Sequence, residues 1–178
     1  YIDPSYHTFI TGRHSRNLDS YMLDDEKIKY VFNDASKDAD ISVVEGVMGL
    51  YDGIGIDLDN CTSSYTSKLL KAPVILVING KAMAASSAAM VLGYKELDKN
   101  VDIKGVIVNN VKTKSHYEII KKAIETYCNI EVLGYFPPNN EFSLESRHLG
   151  LVPSVEIESL KTKFSNLADE IEKYIDID

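Results

Sequence analysis

This 178-residue chain has two cysteines, five prolines and no tryptophan. Cys61 and Cys128 are far apart and lack metal-ligand spacing, which argues against a disulfide framework or a cysteine metal cluster and fits structural thiols in a reducing cytoplasm. No apolar run approaches the roughly 20 residues of a membrane span, and no signal peptide is visible in these residues. An excess of positive charge is also missing. The formal net charge is −8 and the pI is near 5.0, which argues against nucleic acid or an anionic membrane surface as partner. Internal repeats, low-complexity segments and linkers are absent. The chain also contains no Gly-x-x-x-x-Gly-Lys-Ser/Thr loop, the usual cradle for nucleotide phosphates. It begins at Tyr1 rather than Met, so an upstream segment is expected.

With 44% hydrophobic and 26% charged residues, the composition is that of a globular protein with one core. From residue 41 onward, strand-like and helix-like segments alternate. "ISVVEG" (41–46), "PVILVIN" (73–79), "IKGVIVNNV" (103–111) and "IEVLGYFP" (130–137) read as buried strands. "NCTSSYTSKLLK" and "AMAASSAAMVLGYKELDK" read as helices. "KSHYEIIKKAIETYC" does too, with apolar residues at Ile119, Ile120, Ala123, Ile124 and Tyr127. The tail repeats apolar residues at Leu160, Phe164, Leu167, Ile171 and Tyr174, the stripe of a surface helix. Strands buried on both faces and separated by helices predict an α/β fold with a mostly parallel sheet. The first 20 residues show no clear period and read as a chemically rich loop. Asp19 or Ser20 is the expected cap of a helix over "YMLDDEKIKYVFNDAS".

"ISVVEGVMGLYDG" puts Glu45 at the end of an expected strand, followed by Gly46, Gly49, Asp52 and Gly53. Ligands in open α/β sheets bind beyond the carboxyl ends of the strands. A carboxylate there suits Mg²⁺ beside phosphates, general-base work or a turn cap, and Gly46 and Gly49 would admit a ligand close to the backbone. A solvated turn accounts for Glu45 equally well. For Asp52 a turn aspartate bonding its own backbone is the stronger reading. Asn109 offers a donor and an acceptor, as the edge of adenine requires. Pro137 and Pro138 would form an apolar wall or simply stop the strand. Taken alone, both of these sites read as ordinary loop residues.

In combination the segments are more specific. "YIDPSYHTFITGRHSRNLDSYML", "VVEGVMGLYDG", "SSAAMVLGY", "GVIVNNV" and "LGYFPPNNEFSLESRHLGLVPSVE" resemble, in order and over nearly the whole chain, the cobyrinate a,c-diamide synthases. The resemblance implies a dethiobiotin-synthetase-like P-loop NTPase fold lacking here its N-terminal P-loop strand. It also implies that residues 1–178 are part of an ATP-dependent synthetase domain. The implied reaction is ATP- and glutamine-dependent amidation of the a and c carboxylates of cobyrinic acid in cobalamin biosynthesis, through phosphorylated carboxylates. The implied partners are ATP, Mg²⁺, the corrin substrate and ammonia from a glutamine amidotransferase domain of the parent chain. Tyr1, Ile2 and Asp3 match a "DYLDP"-type motif and would line the junction of corrin and ATP. Glu45 would bind Mg²⁺ and the γ-phosphate, Asp52 would face the corrin, and Glu45, Asp52 and Asp3 would be the catalytic residues. Asn109 and Pro137 would bind adenine. His7, Arg13, Ser15, Arg16 and Asn17 belong to the matching opening segment but take no firm role from it.

The phosphate loop and the amidotransferase domain of that family have no counterpart in these residues. The piece by itself is therefore expected to be inactive, and an exposed sheet edge is expected to favour self-association. Two rivals share the scaffold. One is the a,c-diamide synthase acting on nickel sirohydrochlorin. The other is a P-loop switch ATPase, which would explain the sheet and Glu45 but not "YIDPSYHTFITGRHSRNLD" or "ESRHLGLVP".

Overall fold

A computed structural model describes residues 3–142, 146–147, 150–151 and 160–177. Tyr1, Ile2 and most of "ESRHLGLVP" lie outside the described residues. The chain forms two compact units, residues 1–72 with 144–162, and residues 73–143 with 163–178.

The second unit contains the sheet. Strands β1 (Val74–Asn79), β2 (Ile103–Asn109) and β3 (Glu131–Phe136) lie in the order β1-β2-β3, all parallel. They are joined by helices α4 (Ser86–Leu97) and α5 (Lys114–Cys128); α1 to α3 belong to the other unit. Parallel strands need such crossovers, because a tight turn cannot reverse the chain twice. Leu76, Ile78, Val106, Val108 and Val132 are buried, together with Ala88 and Val91 of α4 and Ile120, Ala123 and Ile124 of α5. Burying each large side chain contributes roughly 1.5–3 kcal/mol. Helix α5 is bounded by Thr113, whose Oγ1 accepts the His116 N–H at 3.3 Å, and by Asn129, which turns left-handed at φ 50°.

Two expectations are corrected in this unit. Strand β1 is buried on one face only: Leu76 and Ile78 point inward, while Ile75 and Val77 are 44% and 60% exposed. The stripe of α5 is also rotated. Tyr117 and Cys128 are buried, whereas Ile119 and Tyr127 face solvent, because Ile120 and Ile124 define the centre of the packed face. Beyond β3, the chain returns antiparallel. The Asp176 N–H donates to the Leu133 carbonyl at 2.8 Å, and Gly134 bridges Ile175. The tail helix α6 (Leu160–Ile171) precedes this return, and its expected stripe of Leu160, Phe164, Leu167, Ile171 and Tyr174 is nowhere exposed. Two short antiparallel strands, β4 (Ser146–Arg147) and β5 (Gly150–Leu151), belong to the first unit.

The first unit holds α1 (Asp3–Thr11), α2 (Asp25–Ser36) and α3 (Ser63–Leu70). Helix α1 replaces the first half of the expected opening loop, while residues 14–19 form neither helix nor strand. Pro4 needs no N–H partner in a first turn, Asp3 complements the helix dipole there, and Tyr6 is buried. The helix stops at Gly12, whose φ of 68° suits a residue without Cβ. Helix α2 is capped by Asp24, whose Oδ1 accepts the Lys27 N–H at 2.9 Å, and not by Asp19 or Ser20. Asp19 instead closes an earlier turn by accepting the Tyr21 N–H.

The expected strand at residues 41–46 does not form. Ile41 and Val43 are 81% and 88% exposed, and no described strand pairs with this segment. β-Branched residues favour a strand only when a neighbouring ladder receives them.

Candidate functional site

In the first unit, Glu45 lies on the unpaired segment rather than at a strand tip. Its Oε2 is 2.7 Å from Nε2 of His7, a hydrogen-bonded contact at a partly exposed position. Asp3 and His7 stand four residues apart on α1 and so share one face of that helix. The structure thus brings His7 to Glu45, with Asp3 on the face of α1 that carries His7. The sequence alone gives His7 no role, since a histidine in an aperiodic stretch reveals no partner.

The next residue, Gly46, sits against the start of α3, where an added Cβ would be 3.0 Å from Ser63 Oγ. That start is firmly built. Buried Thr62 caps α3 by accepting the Tyr65 N–H at 3.1 Å, and its hydroxyl donates to the Leu58 carbonyl at 2.5 Å. Buried Ser64 donates to the same carbonyl at 2.8 Å, and its N–H donates to Leu50. These bonds tie the loop after Asp52 to the helix beside Glu45.

Asp52 is turned back on its own turn. Its Oδ2 accepts the Gly49 N–H at 3.1 Å, and its N–H donates to the Gly49 carbonyl at 3.0 Å. The space beside Gly49 that a ligand was expected to use is taken by this carboxylate. A Cβ on Gly49 would lie 2.3 Å from Asp52 Oδ2. The turn role of Asp52 is therefore realised.

Asn109 and Pro137 belong to the other unit, at the carboxyl end of its sheet. Asn109 pairs in register with Phe136, the last residue of β3, and Pro137 follows directly after that strand end. Asn109 Oδ1 accepts the Asn110 N–H at 2.8 Å. Two further residues join this edge. Asn79 ends β1 opposite Asn109, and its Oδ1 accepts both the Lys81 N–H at 3.1 Å and the Asn110 amide at 3.2 Å. The "VIN" that closes β1 repeats the strand-end asparagine of "GVIVN", which was the available signal for Asn79. A polar cleft of about 340 Å³ between Tyr117, Lys121, Glu131 and residues 172–176 includes none of the expected site residues.

Cys128 is buried in this unit, and its thiol donates to the Ala88 carbonyl at 3.2 Å. Burial pushes its pKa up. It is a packing thiol, as expected from sequence, and not a thiolate nucleophile.

Among the described residues, no group of three or more His, Cys, Asp or Glu side chains could hold a metal ion, and no helix is long and apolar enough to cross a membrane. Mg²⁺ that arrives with a nucleotide needs only one or two protein carboxylates, because phosphates and water supply the other oxygens. Glu45, a hard oxygen donor with one oxygen engaged by His7, fits that requirement.

Curated relatives cover the whole chain. It is 49% identical over 179 residues to proteins named cobyrinate a,c-diamide synthase from Listeria monocytogenes and Streptococcus sanguinis, covering 100% of this chain and 40% of each relative. The protein of that name from Methanocaldococcus jannaschii is 45% identical over 180 residues, with the same coverage. The chain thus spans about 40% of the length of the curated relatives it matches. No solved structure matches it. The family model described as "AAA domain" matches residues 7–146. With that match and a parallel α/β sheet flanked by helices, the chain belongs to the AAA-domain family, a P-loop NTPase-type fold.

Proposed function

We propose that this chain is part of the ATP-dependent synthetase domain of a cobyrinate a,c-diamide synthase. The observation that carries the reading is identity of 43–49% along the whole chain to relatives bearing that name. The complete protein would convert the a and c carboxylates of cobyrinic acid to amides in cobalamin biosynthesis. It would use ATP, with glutamine supplying ammonia through a further domain.

A carboxylate is a poor acyl donor because its leaving group would be oxide. In the proposed first step a substrate carboxylate oxygen bonds to the γ-phosphorus of ATP, and the bond to the ADP oxygen breaks. Ammonia then attacks the acyl carbon, phosphate leaves, and a proton is lost from nitrogen. Bound Mg²⁺ supplies charge neutralisation on the phosphoryl group. Glu45 would hold that metal and lie next to the γ-phosphate. Tyr1, Ile2 and Asp3 would line the junction of corrin and nucleotide. Asp52 would help shape the corrin side through the turn it closes. Asn109 and Pro137 would receive adenine at the sheet's carboxyl end, where ligands of open α/β sheets bind.

The test uses the complete protein, incubated with Mg²⁺, ATP, glutamine and cobyrinic acid. The expected result is corrin-dependent ADP release with two amides in the product mass. ADP release without amidation would move the reading to a switch ATPase. Turnover with nickel sirohydrochlorin alone would move it to the nickel-tetrapyrrole enzyme.

A further inference from the structure

The contact between His7 and Glu45 calls for an explanation other than stability. Both side chains are partly exposed, and an ion pair at such a position adds little to folding. Among the described residues no strand pairs with the segment that carries Glu45, so a sheet does not restrain its long, flexible side chain. His7 supplies that restraint from a better-held element. Its carbonyl accepts the Thr11 hydroxyl at 2.7 Å, and the Ser15 N–H donates to Thr8 Oγ1 at 3.0 Å. The Arg13 guanidinium donates to the carbonyls of Asp38 and Ala35 at 3.2 and 3.5 Å, fastening the end of α1 to the end of α2.

We propose that His7 is a positioning residue for Glu45: by holding Oε2, its imidazole N–H leaves Oε1 directed to the metal–nucleotide. The inference rests on the reading of Glu45 as the Mg²⁺ ligand and adds a residue to it. Carboxylates that bind metals are commonly hydrogen-bonded in turn, and losing such a partner typically costs 10–100-fold in metal affinity or activity. The opening segment thereby gains a function: Arg13 and Ser15 hold α1, and α1 holds His7.

The test measures Mn²⁺ binding to the complete protein with ADP, followed by electron paramagnetic resonance of free Mn²⁺, alongside kcat and the KM for Mg²⁺. The variants are H7L, H7Q, E45Q and the double variant H7L/E45Q. In the expected result H7L weakens Mn²⁺ binding on the order of 10-fold. H7Q, which keeps a side-chain N–H donor, recovers most of that loss. H7L adds nothing further in the E45Q background. Unchanged Mn²⁺ affinity in H7L, with E45Q weakened, overturns the role of His7 and leaves Glu45 as ligand. Equal losses from H7L with and without Glu45 also overturn it. Unchanged affinity in E45Q overturns the metal role of Glu45 and the inference with it. Should H7L fail to fold, H7N replaces it, because its shorter side chain does not reach Glu45.

Discussion

The imidazole of His7 and the carboxylate of Glu45 meet at 2.7 Å, one from a helix and the other from a segment outside the described helices and strands. The contact joins the first helix of the chain to the residue proposed to hold the metal. It also makes the effect of Glu45 on chemistry separable from any effect on folding.

Glu45→Gln removes the charge but keeps the size. In the complete protein kcat should fall on the order of 10²–10³-fold, by analogy with the loss of one preorganised group that stabilises transition-state charge. The change in stability should stay within about 0.5 kcal/mol, as for other surface positions. Steady-state ADP release and a thermal melt of the same preparation check both numbers.

Thr62→Ala removes the cap of α3. It should cost about 0.5–2 kcal/mol, read from urea unfolding. The Leu58 carbonyl keeps its bond from Ser64, so the loss should lie inside that range. Because Gly46 rests on the start of α3, nucleotide affinity should drop as well.

Ile124→Ala opens a hole in the α5 face of the sheet, where Ile124 is fully buried. A loss of about 2–5 kcal/mol is expected from chemical denaturation. Ile119→Ala on the exposed side of the same helix should change stability by less than about 0.5 kcal/mol. Equal effects at the two positions would contradict the packing described here.

Cys128 gives a pH prediction. Burial raises its folded pKa above the ordinary thiol value of 9.0. The folded state therefore keeps its proton where the unfolded chain has lost it. The stabilising contribution is fully present below pH 9.0 and is lost as pH rises through the folded value. Burial raises the phenols of Tyr117 and Tyr135 in the same sense. Unfolding midpoints should fall on the alkaline side, and Cys128→Ser should flatten the first part of that fall. In native protein at neutral pH, a thiol reagent should modify Cys61 well before Cys128.

Much of the α/β unit was legible because its signals are local. The run from Val74 to Ile78, the β-branched core of β2 and the spacing along α5 and α6 each specify an element whatever lies around it. Asn109 and Pro137 were each readable as strand ends for the same reason. The segment 41–46 failed because a strand is a relation between two chains of residues and not a property of one. Helix α1 was missed because its support comes from Tyr6 burial and the Arg13 bonds, not from a 3.6-residue stripe.

The sequence by itself determined the parallel α/β character, the packing thiol at Cys128, the turn at Asp52 and the motifs that resemble one enzyme family. These follow from periodicity, side-chain chemistry and ordered short motifs. Only the tertiary structure decided that β1 buries one face, that Glu45 stands outside the sheet, and that His7 is its partner. Each of those depends on which distant residues fill the space around a side chain, and no local pattern carries that information.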